Sequence, residues 1–275
     1  MKFISFSKNG VETAGLVIGD EVVDLSVSAP NLPRTLLGLI QANKLEEAGH
    51  LGGSAKMNGR QSLASLKYLP LIPHPPKVVN LIRRTATDAK NPGTSISVTT
   101  RLCAHLEPMW SPKKTGALDY GIELAAVLKK GGRRLRAEDV PNCIAGYTVF
   151  VGGVVRGLPA GQTVAVARNG DRTAPFGPQL VTPEELPPLA AGLRMTLTKN
   201  GVIVQKGTTS ELWDVAQAVS LTSHYMSLEV GDVITMGTLE GPASESGLSC
   251  LRSGDIISAE IEHLGCLRNS VADEP

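Results

Sequence analysis

The run from Glu123 to Leu128 constrains the fold of this chain more than any other stretch. Glu123-Leu124-Ala125-Ala126-Val127-Leu128 does not alternate apolar with polar residues, which is the pattern of a strand buried on both faces. The basic segment Lys129-Lys130-Gly131-Gly132-Arg133-Arg134-Leu135-Arg136 follows and reads as a solvated loop leaving that strand. Other strand signals accumulate from residue 77 onward. Met195 to Thr198 and Val202 to Gln205 flank Asn200-Gly201, a pair that tolerates positive φ at both central positions of a hairpin turn. Ile256 to Ile261 alternates polar and apolar residues. Ser210 is placed to cap a helix running to about Met226, with Leu212, Val215, Ala216 and Val219 on one face.

Residues 1–70 read as a small appended α+β domain. Phe3 to Phe6, Ala14 to Ile18 and Glu21 to Leu25 have strand composition, with Asn9-Gly10 and Gly19-Asp20 as turns. Leu36, Leu37, Leu39 and Ile40 suit a short helix with Pro33 at its first turn. Pro70, Pro73, Pro75 and Pro76 form a stiff linker to a second domain, residues 71–275. A chain of 275 residues is long enough for one large and one small domain.

Charge is nearly balanced, at +1, which gives no reason to expect nucleic acid as a partner. No window has the length and apolarity of a membrane span. Cys103, Cys143, Cys250 and Cys266 are widely spaced, without the Cys-x-x-Cys pattern of a zinc knuckle. The chain begins without a secretory pattern, so cytoplasmic residence with free thiols is the expectation. His105 and Glu107, two residues apart between prolines, are candidates for a metal pair or for a surface connection.

Leu118-Asp119-Tyr120-Gly121-Ile122-Glu123-Leu124-Ala125 resembles the metal-binding strand of the fumarylacetoacetate hydrolase superfamily, which usually carries Glu-x-Glu. Side chains one residue apart on a strand point the same way, so two such glutamates grip one hard cation. Further likenesses follow in the family's order: Lys77-Val78-Val79-Asn80-Leu81, Ile144-Ala145-Gly146-Tyr147-Thr148-Val149, Ala174-Pro175-Phe176-Gly177-Pro178 with Val181-Thr182-Pro183, then Gly237-Thr238. The resemblance implies a mainly β, α+β fold, a mixed β-roll or sandwich preceded by the small N-terminal domain, and a homodimer. It also implies Mg²⁺ or Mn²⁺ on three carboxylates. Two of those three positions are Gly121 and Gly152 here, so no bound metal is expected; Glu123 alone remains. The family's lid histidine falls on Asp88 and its glutamate partner on Asn91, while the pocket lysine becomes Arg168.

Family members use the cation as a Lewis acid on a keto or enol oxygen. With two ligands gone, arginines are expected to replace it, because guanidinium groups grip carboxylates and keep their charge. Arg156, Arg168 and Arg84 are the candidate anchors for a small anionic substrate, with Asp171, Gly237 and Thr238 beside them; Arg83 and Arg101 add positive charge. Glu123 and Asp88 are the candidate catalytic groups. Each has a plainer reading: Glu123 as half of a core ion pair, Arg156 as a strand bridge, Asp171 as a loop brace. Three functions stay open. The first is a metal-free hydrolase, lyase or isomerase of small oxo or enol compounds, acting by isomerisation, cyclisation, decarboxylation or carbon–carbon cleavage, possible in specialised metabolism. The second is an inactive binder of a metabolite or protein. The third is a metal-dependent oxo-acid hydrolase with replaced ligands.

Overall fold

A computed structural model describes residues 1–51, 58–82, 92–113, 116–159, 161, 164–240 and 250–275. The chain opens with β1 (Lys2–Lys8), β2 (Val11–Ile18) and β3 (Glu21–Asp24), joined as an antiparallel meander. Asn9 and Gly10 both take positive φ, at 52° and 80°, as a tight hairpin turn requires. Leu25 does not extend β3. It starts the short helix α1 (Leu25–Ser28), because the Asp24 carboxylate accepts the Ser26 N–H and caps it. Next come α2 (Leu36–Gln41) and α3 (Leu45–His50). Pro33 lies ahead of α2 rather than in its first turn: Thr35 is the cap, its hydroxyl accepting from the Gly38 N–H at 3.1 Å. Strand β4 (Arg60–Ser62) then joins β3.

The larger part runs β5 (Val78–Leu81), β6 (Thr94–Ser97), β7 (Leu102–Cys103), β8 (Met109–Ser111), β9 (Ala117–Asp119), β10 (Ile122–Leu128), β11 (Ile144–Val151), β12 (Val154–Arg156), α4 (Val164–Ala167) and β13 (Ala174–Val181). It closes with β14 (Arg194–Lys199), β15 (Val202–Thr208), α5 (Val215–Tyr225), β16 (Val233–Thr238), β17 (Ile256–Ile261) and β18 (Gly265–Asp273). Helix α5 starts later than the sequence suggests. Thr208 and Glu211 form a capping box over a single tight turn, and Asp214 caps α5 by accepting the Gln217 N–H. Leu212 is buried outside the helix.

Among the described residues the large sheet has the order β4-β3-β2-β1-β13-β11-β10-β16-β5-β6, with β7 also on β13. Pairing of β1 with β13 therefore makes the N-terminal strands one end of the same sheet. A second sheet, β15-β14-β17-β18-β8, packs on it. Period two sorts β10 cleanly. Ile122, Leu124, Ala126 and Leu128 enter a core with Met195, Leu197, Ile257, Ala259 and Ile261 of the second sheet. Ala125 and Val127 enter the opposite core with Val78, Phe150, Phe176 and Val233. Glu123 shares the face of Ala125 and Val127, and it stands near the end of the strand where the ladder to β16 breaks.

Candidate functional site

The break is a bulge. Ala125 faces Thr235 and Glu123 faces Thr238, so β16 carries one extra residue between these pairs. Gly237 supplies it at φ 77°, a conformation that favours glycine. Past the bulge, the Thr238 hydroxyl donates to the Ile122 carbonyl at 2.9 Å. The bulge re-aims β10 where Glu123 projects. That carboxyl is 3% exposed, and its Oε2 has no hydrogen-bond partner. Thr235 lies close enough to favour the charged form, yet its own hydroxyl is also buried without a partner of ordinary geometry. Burial pushes the Glu123 carboxyl above the usual carboxylate range, against the pull of Arg168, Thr235 and Arg101.

Two guanidinium groups surround this acid. Arg101, in the turn between β6 and β7, is fully buried. Its Nη1 donates to Ser97 Oγ at 2.5 Å and to Asn80 Oδ1 at 3.4 Å, and Nη2 donates to the Gly153 carbonyl at 2.9 Å. It also lies 5.8 Å from the Phe150 ring centroid. Burial pushes its pKa down to about 10, opposed by Glu123 and helped by Arg168. Arg168 follows α4, is half-buried and forms no ion pair among the described residues. Neither guanidinium reaches ion-pair distance of Glu123, so the acid is held by charge at a distance rather than by contact.

The two glycines beside Glu123 explain the crowding. A Cβ on Gly152 would lie 2.2 Å from Glu123 Oε1. A Cβ on Gly121 would lie 2.2 Å from Thr238 Oγ1 and 2.9 Å from Thr238 Cβ. Each missing side chain has thus been replaced in space by a neighbour. The structure gathers Glu123, Arg168, Gly237 and Thr238 of the residues expected from sequence. Asp88, Asn91, Arg83 and Arg84 lie outside the described residues. Arg156 is 58% exposed at its side chain and bridges β12 to β9 through Asp119 at 2.9 Å. Asp171 is exposed and lines a 380 Å³ cavity with Trp110, Val155, Thr173 and Glu274; Glu123 is not in its wall.

His105 and Glu107 do not form a metal pair: His105 Nδ1 accepts the Arg268 N–H, while Glu107 pairs with Arg172 at 3.1 Å. Thr235, Asn80 and Gln205 were missed from sequence. Thr235 and Asn80 had a usable signal, a lone polar residue within Val233-Ile234-Thr235-Met236 and Val78-Val79-Asn80-Leu81.

The family model for the C-terminal domain of fumarylacetoacetate hydrolase matches residues 74–272. The chain belongs to the fumarylacetoacetate hydrolase family. A protein of Archaeoglobus fulgidus is 36% identical over 174 residues, 62% of this chain and 65% of the relative, so the match leaves about a third of that relative uncovered. The rat mitochondrial oxaloacetate tautomerase Fahd2a is 26% identical over 277 residues, 92% of this chain and 85% of the relative. Maleylpyruvate hydrolase from Sphingobium sp. SYK-6, solved with manganese(II) and pyruvate, superposes with a TM-score of 0.83 at 25% identity, covering 100% of both chains.

Membership makes the donor set the decisive comparison. Hard divalent cations are held by several oxygen ligands, mostly carboxylates. Among the described residues one carboxylate faces the site, and two guanidinium charges already act on it. No group of three His, Cys, Asp or Glu able to hold a metal occurs among the described residues. Bringing a divalent cation between Arg101 and Arg168 adds like-charge repulsion in a poorly solvated place. The described donor set does not fit the family's cation.

Proposed function

We propose that this family member is an enzyme of small 2-oxo or enol acids, in which Glu123 moves a proton and guanidinium charge takes the place of a divalent metal. One observation carries the reading. A buried carboxyl with an unpartnered oxygen faces two arginine charges, while the two adjacent ligand positions are glycines filled by neighbours. Half-buried Arg168, without an ion pair among the described residues, is the group that receives a substrate carboxylate. Fully buried Arg101 is the fixed counter-charge behind it. A carboxyl whose pKa is raised by burial holds its proton closer to neutral pH, as a general acid or base for keto–enol conversion requires. The names of the rat tautomerase and the Sphingobium hydrolase support the substrate class.

The test uses the 275-residue chain, treated with chelator, and the enol–keto conversion of oxaloacetate and other 2-oxo acids. Turnover should survive chelation, fall about 100-fold or more in Glu123→Gln, and show a KM raised about tenfold in Arg168→Gln. Loss of turnover with chelator and its return with Mn²⁺ would overturn the metal-free part. Binding of oxo acids, read as a rise in Tm, without turnover of any of them would replace the enzyme reading with that of a binding protein.

A further inference from the structure

Gln205 stands on β15, in the second sheet, but its side chain crosses to the large sheet and is 4% exposed. Its Oε1 accepts the Ile122 N–H at 2.9 Å. Its Nε2 donates to the Leu239 carbonyl at 2.9 Å and lies 3.4 Å from Thr238 Oγ1. The Thr238 hydroxyl closes the circuit by donating to the Ile122 carbonyl. Both polar backbone groups of Ile122, the residue before Glu123, are therefore held by Gln205 and Thr238. This happens at the end of the β10–β16 ladder, just beyond the bulge. The same Thr238 side chain fills the volume that a side chain at position 121 would need.

We propose that Gln205 and Thr238 form a latch that substitutes for the absent position-121 side chain and fixes the direction in which Glu123 projects. Both act as positioning residues. The inference rests on the reading of Glu123 as the acting group. The chemistry of position 205 is restrictive, because one acceptor and one donor are needed at once from a neutral, buried group. Glutamate would lose the donor and set a second buried carboxyl beside Glu123. Leucine would leave the Ile122 N–H and the Leu239 carbonyl unpaired. Thr238→Ser keeps the hydroxyl, whereas Thr238→Val keeps the shape and loses it.

The experiment combines amide hydrogen exchange with kinetics on the full chain, with oxaloacetate as probe. In Gln205→Leu the Ile122 amide should exchange about tenfold or more faster, with the Val127 amide unchanged. In Thr238→Val, kcat should fall about tenfold while KM stays within about twofold, since orientation rather than binding is lost. Thr238→Ser should restore kcat. A residue that only braces the fold would not give that kcat–KM split or its rescue by serine.

The latch is overturned if the Ile122 amide stays as protected in Gln205→Leu as in the parent, or if Thr238→Val turns over like the parent. Should Gln205→Leu fail to fold, the Thr238 pair of variants decides. If the parent protein turns over no oxo acid, the functional reading fails on its own, and exchange at Ile122 alone decides the latch.

Discussion

Strand β16 has a buried carboxylate at each end, and the fold treats the two differently. Asp232, just ahead of its first residue, is fully buried, but its Oδ2 lies 2.8 Å from Lys77 Nζ and accepts the Glu229 N–H at 2.7 Å. Glu123, opposite Thr238 at the far end, is buried almost as deeply and has no cation among the described residues within ion-pair distance. Burial raises the pKa of both. Contact neutralises the first and ties β16 to the start of β5. The second keeps Arg101 and Arg168 at arm's length, which costs stability and, on the proposed function, suits it to exchange a proton. Each carboxylate keeps one buried oxygen without a hydrogen bond, Asp232 Oδ1 and Glu123 Oε2, so the difference between them is the Lys77 contact.

The largest expected effects separate these ends. Glu123→Gln should lower kcat by about 100-fold or more and leave stability nearly unchanged, since it removes a costly buried acid together with the counter-charge of buried Arg101. Asp232→Ala should lower stability by about 1–3 kcal/mol, because the Glu229 N–H loses its acceptor and Lys77 keeps only Glu229, with turnover per folded molecule unchanged. Denaturant unfolding and steady-state kinetics on both variants check this. Equal stability losses would erase the distinction.

The two glycines sharpen it. Gly152→Ala drives a Cβ against Glu123 Oε1, the far end of a flexible side chain. The carboxylate must swing, and kcat should fall about tenfold with a modest change in stability. Gly121→Ala presses on both Oγ1 and Cβ of Thr238, next to the backbone, so the ladder itself must give. Its stability cost should be the larger, about 1–3 kcal/mol. Thermal unfolding of the pair ranks them.

Much of this was legible in sequence, because it depends on local pattern. The buried character of β10, the hairpin at Asn200-Gly201, and the loss of side chains at 121 and 152 all follow from residues close together in the chain. The cap of α5 was misplaced because Ser210 and Asp214 are both good caps, and only the packing of Leu212 chooses between them. Arg101 was visible as a charge but not as a buried one. Its cage consists of Asn80, Ser97 and Gly153, three segments that meet only after the sheet forms. Gln205 carried no signal at all, since its partners lie on the other sheet. What fills an absent side chain's place is a tertiary fact.

A half-buried histidine gives a smaller, pH-dependent effect. Burial first, then the charge of Arg268, pushes His105 down to about 4. Its Nδ1 accepts the Arg268 N–H at 3.1 Å, so protonation also breaks a hydrogen bond. The unfolded chain binds this proton near pH 6.5 and the folded chain only near pH 4, so stability falls as pH drops through that interval. The loss should be about 1–2 kcal/mol after allowance for partial exposure. His105→Gln should flatten the stability–pH curve between those limits. As at the two carboxylates, burial favours the neutral form of this group.

The smallest effect is expected at Arg156, and it compares a paired arginine with Arg168, which has no ion pair among the described residues. Arg156 Nε and Nη2 both lie 2.9 Å from Asp119 Oδ2, joining β12 to β9, yet its side chain is 58% exposed. Solvent screens such a pair, so Arg156→Ala should cost under about 1 kcal/mol. An arginine already engaged by Asp119 has little left to offer a substrate carboxylate, and KM for a 2-oxo acid should change by less than about twofold. The same substitution at Arg168 removes a guanidinium with no competing carboxylate among the described residues. A KM for Arg156→Ala raised as far as that for Arg168→Gln would mean that the Asp119 pair opens when substrate binds, and that the site uses both arginines.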